Sequence, residues 1–218
     1  MIVLSMKPEE IYMEIMRDYV SVKRKADNEG MIVHQERRRK KQANLFRIIS
    51  YKTPHLNPWQ IIISSDPIGI KRGFYLKSRD SRGLAVYMIQ FVNPGTHEEE
   101  KLVIKFNQHF FERYNERMAL GFTDTSRVLA HFFKYNLEST MGETAMLDNG
   151  ISATHFVYPT GIGIGWKDAA RKTIHVKTFL PNEMMSKKLL SLADHIKYAG
   201  DDEEFFIKVK TENILKAF

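Results

Sequence analysis

Residues 101–121, KLVIKFNQHFFERYNERMALG, carry the pattern that decides the fold. The segment KLVIKF (101–106) has the apolar, β-branched content of a strand. Asn107 is a suitable N-cap for the helix that follows, and Gly121 can end that helix. Apolar residues recur there at helical spacing, namely Phe110, Tyr114 and Met118. The stretch therefore predicts a strand that leads directly into an amphipathic helix.

Strand-like sequence lies on both sides of this stretch. Three earlier segments are rich in β-branched and aromatic residues, and turn residues separate them: WQIIISS (59–65), RGFYLKS (72–78) and LAVYMIQFV (84–92). A second helix is expected to begin near Thr123 or Asp124, either of which can cap it. Three more strands are predicted after Gly150, at 152–159, 161–168 and 173–181.

Helices are predicted towards both ends of the chain. Residues 7–26 carry an apolar stripe at helical spacing, and a second helical stretch is expected over about 32–50. Two further helices are expected at about 182–198 and 203–217. We therefore predict an α+β fold with N-terminal helices and antiparallel strands, then a helix–helix–three-strand unit, then C-terminal helices.

The loop NPGTHEEE (93–100) is the predicted boundary within the chain. It would separate an N-terminal region of helices and a β-meander, 1–100, from a helix–sheet domain, 101–181. Residues 182–218 would then form a helical extension. A single domain is the alternative, because the strand at 101–106 could pair with the earlier strands.

Composition narrows the classes of protein to consider. The chain has 218 residues, 43% of them hydrophobic and 27% charged, which is the range of globular proteins. It has no cysteine, so disulfides, cysteine-based zinc sites, iron–sulfur clusters and thiol nucleophiles are excluded within it. The first residues, MIVLSMKPEE, do not resemble a secretory signal, and no apolar run is long enough to span a bilayer. A cytoplasmic location without a membrane partner is therefore expected.

A net charge of +7 favours polyanionic partners, and the basic residues cluster at one place in particular. Arg37, Arg38, Arg39, Lys40 and Lys41 are consecutive. In a helix, five successive side chains spread around the whole cylinder, so they cannot all contact one ligand. The run is therefore interpreted either as a solvated basic helix or as a nucleic-acid-binding segment that contacts phosphates.

The helix at 107–120 carries a second cationic pattern. His109, Arg113 and Arg117 follow one another at steps of four residues, which places them along one side of the helix. Glu112 and Glu116 lie one position away and can pair with these arginines. Spacing alone thus leaves two interpretations open, a phosphate-binding ridge and an ordinary solvated helix face.

Residues 101–181 resemble the small helix–sheet domains of the barnase–colicin–RelE type ribonuclease superfamily, especially its phage- and toxin-associated members. His109, Arg113 and Arg117 match that family's His-x3-Arg-Met-x2-Arg helix, and Thr178 falls where a late strand of the family ends in threonine. The family pattern places glycine directly after the second arginine, whereas Met-Ala-Leu (118–120) intervenes here.

The resemblance implies metal-independent cleavage of RNA, in which a 2′-hydroxyl attacks the adjacent phosphate. His109 would then act as acid or base, and the arginines Arg113 and Arg117 would stabilise the phosphorane. Thr178 would bond a phosphate oxygen or orient His109. A second proton-transfer group is required, and three residues remain open for that role: Tyr114, Lys177 and His175. Lys177 is also expected to contribute to nucleic-acid binding.

No cofactor or metal is predicted. His109, His155 and His175 could be brought together only by the fold, because they lack the tight local spacing typical of a zinc site. Alternate glycines at 161, 163 and 165 do not match a dinucleotide-binding fingerprint.

The sequence thus indicates an RNA-binding protein, with endoribonuclease activity as one hypothesis. The alternatives are a non-catalytic nucleic-acid or protein interaction module of a phage or mobile element, and a structural or assembly protein. RNA, a protein inhibitor and a second copy of the chain are the partners that these hypotheses allow.

Overall fold

One mixed β-sheet connects all strands in the part of the chain that the structure, a computed structural model, describes: residues 1–81, 83–92, 100–146, 152–168 and 172–198. The first five strands are β1 (Leu45–Lys52), β2 (Pro58–Ser65), β3 (Ile70–Asp80), β4 (Gly83–Val92) and β5 (Glu100–Asn107). The others are β6 (Thr140–Met146), β7 (Ser152–Tyr158), β8 (Gly161–Asp168) and β9 (Thr173–Pro181). Their order across the sheet is β1-β2-β3-β4-β5-β9-β8-β7-β6.

Four α-helices flank this sheet in the described residues: α1 (Pro8–Arg39), α2 (Gln108–Arg117), α3 (Thr125–Tyr135) and α4 (Lys187–Tyr198). A single turn of 3-10 helix, Asn182–Met184, precedes α4 within the helical stretch predicted at 182–198. The helix predicted at 203–217 lies outside the described residues. The predicted α+β class is confirmed.

The strands keep one continuous hydrogen-bonded sheet across the boundary predicted at 93–100. β5 pairs antiparallel with β4 on one side, with Val86 opposite Phe106. On its other side β5 pairs parallel with β9, with Ile104 opposite Ile174. The strand at 101–106 therefore joins the two halves of the sheet, which is the arrangement of the single-domain alternative.

The N-terminal helix corrects the prediction of two separate helices. α1 runs without a break from Pro8 to Arg39, and residues 45–50, predicted to be helical, belong to β1. Gly30 lies inside α1, and the side chain of Arg72 from β3 passes close to it. A Cβ atom at Gly30 would lie 2.7 Å from the Arg72 Nε. Strand β6 was not predicted at all.

The two faces of the sheet carry different helices. α1 covers the β1–β5 half of one face, where Ile15, Val22 and Val33 belong to the same core cluster as Trp59 and Ile61. α2 and α3 cover the other face with an aromatic cluster: Phe106, Phe110, Phe111, Tyr114, Phe132, Phe133, Phe156 and Phe179. α4 packs against Val157, whose neighbours Phe156 and Tyr158 belong to that aromatic cluster. Since adjacent strand residues point to opposite faces, α4 lies on the face opposite α2.

A buried carboxylate fixes α1 to the sheet. Asp18 has no exposed surface and accepts hydrogen bonds from Trp59 Nε1 at 2.8 Å and Asn57 Nδ2 at 2.7 Å. Its other oxygen lies 2.8 Å from His55 Nδ1. Burial alone would raise the pKa of Asp18, but the hydrogen bonds from these three residues and Thr53 together lower it. These contacts hold the first half of α1 against the sheet.

Candidate nucleic-acid interface

The five consecutive cations predicted to bind nucleic acid form the end of α1 and the turn after it. Arg37, Arg38 and Arg39 lie in the last turn of the helix, and Lys40 ends it. Lys41 has a φ of 52°, in the left-handed region that helices usually reach with glycine. We call residues 37–41 the basic turn. Arg37, Arg38, Arg39 and Lys40 keep the helical path that the sequence predicted, and the chain leaves it at Lys41.

Contacts just before the basic turn hold it at a corner of the sheet. His34 Nδ1 lies 3.0 Å from the hydroxyl of Ser65, the last residue of β2. Glu36 Oε2 is 2.6 Å from Arg47 Nη2 of β1, and Glu36 Oε1 is 2.7 Å from Lys40 Nζ. The hydrogen bond from Lys40, followed by the charge of Arg47, lowers the pKa of Glu36. Arg47 was not singled out in the sequence, because its segment was predicted to be helical.

Three cations of the basic turn are left without a counter-charge. Arg38, Arg39 and Lys41 are exposed, and none of them forms a side-chain hydrogen bond or ion pair with the described residues. Arg37 differs, since its Nη1 donates to the carbonyl of Gln42 at 3.0 Å. Residues 36–41 contain five positive charges and one negative charge. The surplus lies on side chains that are free to contact an anion.

The ridge on α2 has the predicted spacing but a different charge balance. Arg113 Nη1 donates to Glu116 Oε2 at 2.8 Å, and Arg113 Nε donates to His109 Nε2 at 3.4 Å. His109 Nδ1 lies 3.6 Å from Glu112 Oε2. Residues 108–117 contain two arginines and two glutamates, so this helix is neutral when His109 is neutral.

Arg117 is the member of the ridge that contacts Thr178, the residue that the resemblance assigned to a phosphate oxygen or to the orientation of His109. Its Nη1 donates to Thr178 Oγ1 at 3.1 Å and to the carbonyl of Phe179. Burial, and then the nearby charge of Arg113, lowers the pKa of Arg117. The chain turns directly after Arg117, at Ala119 of the inserted Met-Ala-Leu (118–120), where φ is 51°. Thr178 thus holds Arg117, and no contact joins it to Arg113 or His109 in the described residues.

Two of the three residues considered as a second proton-transfer group lie away from His109. Tyr114 is fully buried, and burial raises its pKa to about 12. His175 lies between Ile174 and Val176, which belong to the core beneath α2, so its side chain is on the opposite face. It stacks there on Trp166, with ring centroids 5.1 Å apart. Lys177, the third residue, is exposed beside Thr178 at the register shift of β9.

The histidines considered for a metal site also lie apart. His155 has no exposed surface and lies opposite Gly142, where a Cβ atom would meet Ile196 of α4. His155 is therefore on the α4 face of the sheet, whereas His109 is exposed on α2. Burial lowers the pKa of His155 to about 4. Within the described ranges, no group of three or more histidine, aspartate or glutamate residues is placed to hold a metal ion.

No described helix combines the length and apolar character needed to cross a bilayer. Comparison of the chain with models of known protein families, with curated proteins and with solved structures finds no match.

Proposed function

We propose that the protein binds RNA through the basic turn, which contacts backbone phosphates at the corner of the sheet. The observation that carries the proposal is the uncompensated charge of Arg38, Arg39 and Lys41 at a helix end that His34 and Glu36 join to β1 and β2. Arginine and lysine neutralise phosphates and release the counterions condensed on them, which supplies the sequence-independent part of nucleic-acid affinity.

The conformation of Lys41 supports the same proposal. A non-glycine residue in the left-handed region costs on the order of 1 kcal/mol, and glycine would adopt it without that cost. The chain nevertheless has lysine there, with a φ of 52°. A cation that contacts phosphate gives this position a use that glycine could not supply.

Cleavage of the bound RNA stays a hypothesis. Arg117 is held in place at Thr178, which suits the stabilisation of a phosphorane. Cleavage would also require a second proton-transfer group beside His109, and Lys177 would have to reach it from the register shift of β9. We therefore propose binding as the principal function, in line with the non-catalytic alternative.

Binding can be tested with a fluorescein-labelled single-stranded RNA of about 20 nucleotides, by fluorescence anisotropy at low ionic strength. We expect saturable binding that weakens in the variant R38Q/R39Q/K41Q by at least tenfold, about 1.4 kcal/mol. The matched control is R17Q/K23Q/R24Q, which removes the same charge from exposed positions of the same helix and should retain most of the affinity. Equal weakening in both variants would mean that only net charge matters and would refute a site at the basic turn.

The cleavage hypothesis is tested on the same RNA, incubated with the protein in EDTA and run on a denaturing gel. Cleavage to fragments with cyclic phosphate ends, lost in His109→Ala, would establish it. Intact RNA at saturating protein would remove cleavage and leave the binding proposal standing.

A further inference from the structure

A cavity of about 580 Å³ opens on the α2 and α3 side of the sheet, away from the basic turn and outside the predicted site. Its walls come from the β3–β4 hairpin and from the first residues of α2 and α3. The residues that matter for its chemistry are Lys77, Arg79, Leu84, Thr125, Ser126 and Leu129. The volume lies within the range of sites that take small molecules.

Lys77 supplies a partly buried positive charge to this cavity. Its Nζ donates to the hydroxyl of Ser126 at 3.2 Å, and no carboxylate of the described residues lies within ion-pair distance of it. Burial lowers the pKa of Lys77, and the charge of Asp124 opposes that shift. The contact partner of this partly buried ammonium is a neutral hydroxyl, and an anion in the cavity would compensate its charge.

Arg79 adds a second cation on the same side of β3. Tyr75 belongs to the core beneath α3, and residues two and four positions later on a strand point to the same face, so Lys77 and Arg79 both do. Arg79 is exposed and forms no ion pair with the described residues. The cavity lining contains no aspartate or glutamate. Two cations thus converge on a space whose wall has no negative charge.

The remaining wall supplies neutral donors and an apolar side. Thr125 and Ser126 present hydroxyl groups, which can donate to phosphate oxygens. Leu84 and Leu129 line the cavity with apolar atoms. The Leu84 side is fixed, because Gln108 Oε1 accepts a hydrogen bond from the Leu84 backbone N–H at 3.2 Å.

We propose that this cavity binds a small phosphomonoester, with its phosphate between Lys77 and Arg79 and its organic part against Leu84 and Leu129. A phosphate dianion matches the charge of the two cations, and the guanidinium of Arg79 can bond two of its oxygens at once. Ser126, already in contact with Lys77, donates its hydroxyl to a third. This site is separate from the RNA-binding proposal, since it shares no residue with the basic turn.

The test is isothermal titration calorimetry of the full chain with adenosine 5′-monophosphate, with adenosine and with inorganic phosphate. We expect the monophosphate to bind and adenosine not to bind at the same concentrations. Lys77→Gln and Arg79→Gln should each weaken monophosphate binding at least tenfold. The matched control is Lys71→Gln, which removes a charge from the same strand where Lys71 is paired with Glu138 at 2.8 Å, and it should leave the affinity unchanged.

Several results would overturn the proposal. One such result is that adenosine binds as tightly as the monophosphate. Another is that neither the monophosphate nor phosphate binds at millimolar concentration. An effect of Lys71→Gln equal to that of Lys77→Gln would also overturn it. If Lys77→Gln does not fold, as judged by circular dichroism, Ser126→Ala replaces it, because the exposed Ser126 side chain is not part of the core. Binding that persists unchanged in both Ser126→Ala and Arg79→Gln would also contradict the site.

Discussion

The basic turn and the α2 ridge are both cationic by sequence, and the structure separates them by their neighbours. In the basic turn, Arg38, Arg39 and Lys41 are exposed without partners among the described residues. On α2, Arg113 is paired with Glu116, and Arg117 is bonded to Thr178 and Phe179. The basic turn therefore has cations that can bind an anionic ligand, whereas the arginines of α2 are bonded to other groups of the protein.

The difference shows that the spacing of arginines predicts an anion-binding surface less well than the charges of the residues around them do. Exposed ion pairs contribute little to stability, about 0–1 kcal/mol, but each one cancels the field that a polyanion would sense. The regular steps from His109 to Arg117 attract notice in the sequence, yet Glu112 and Glu116 follow the same steps one position behind. The three exposed cations of the basic turn have no glutamates paired with them in the described residues.

The largest expected effect comes from reversing the charge of the basic turn. In R38E/R39E, four units of charge change at the proposed contact, and phosphates would meet repulsion. We expect RNA affinity to fall at least a hundredfold, about 2.7 kcal/mol, in the anisotropy measurement. Both side chains are exposed, so the thermal midpoint should change little. Affinity within threefold of the wild type would place the RNA elsewhere.

Comparing the stability of two variants tests whether Arg117 of α2 has a structural role. Arg117→Met removes the donors to Thr178 and to the Phe179 carbonyl, and leaves those acceptors partly buried without a partner. We expect a loss of about 1–3 kcal/mol in the free energy of unfolding, measured by urea denaturation. Arg113→Met is the control and should change it by less than about 0.5 kcal/mol, since its partners are exposed. Equal losses would show that Arg117 is no more structural than Arg113.

Removing the glutamates of α2 should turn the ridge into a second cationic surface. E112Q/E116Q leaves Arg113 and His109 without their carboxylate partners and gives the helix a net charge of two. We expect RNA affinity to rise severalfold at low salt, and the gain to disappear near 0.5 M salt, where charges are screened within a few ångströms. An unchanged affinity would mean that bound RNA does not pass near α2.

The smallest expected effect concerns the helix end. Lys41→Gly relieves the left-handed conformation at a φ of 52° and removes one cation. We expect stability to rise by up to about 1 kcal/mol while RNA affinity falls about twofold to fivefold. A rise in stability without any loss of affinity would remove Lys41 from the proposed contact.

Most of the sheet could be predicted from short stretches, because local composition and side-chain contacts agree there. The segments at 59–65, 72–78, 84–92 and 101–106 all form strands, as do the three predicted after Gly150. The segment at 45–50 was assigned to a helix because the basic run before it is helical. Its antiparallel pairing with β2, in which for example Phe46 lies opposite Ser64, makes it a strand.

The candidate sites were also predicted only in part, because their contacts join residues that are distant in the chain. The contact of Arg117 with Thr178 was not predicted, because helix spacing alone could not relate residues 61 positions apart. The place of His175 on the opposite face of the sheet depends on the register of β9 with β8, which the sequence does not reveal. The cavity at Lys77 was missed because its walls come from a hairpin and two helices that are distant in the chain.

The most direct test of the central claim is the salt dependence of RNA affinity. The logarithm of the association constant falls linearly with the logarithm of salt concentration, with a slope of about −0.7 per phosphate contact on single strands. If the basic turn makes the contacts, R38Q/R39Q/K41Q should reduce the steepness of that slope by about 2, from three lost contacts. The variant Arg113→Gln should leave it unchanged. A slope that stays the same in the triple variant and falls in Arg113→Gln would contradict the account and place the RNA on α2.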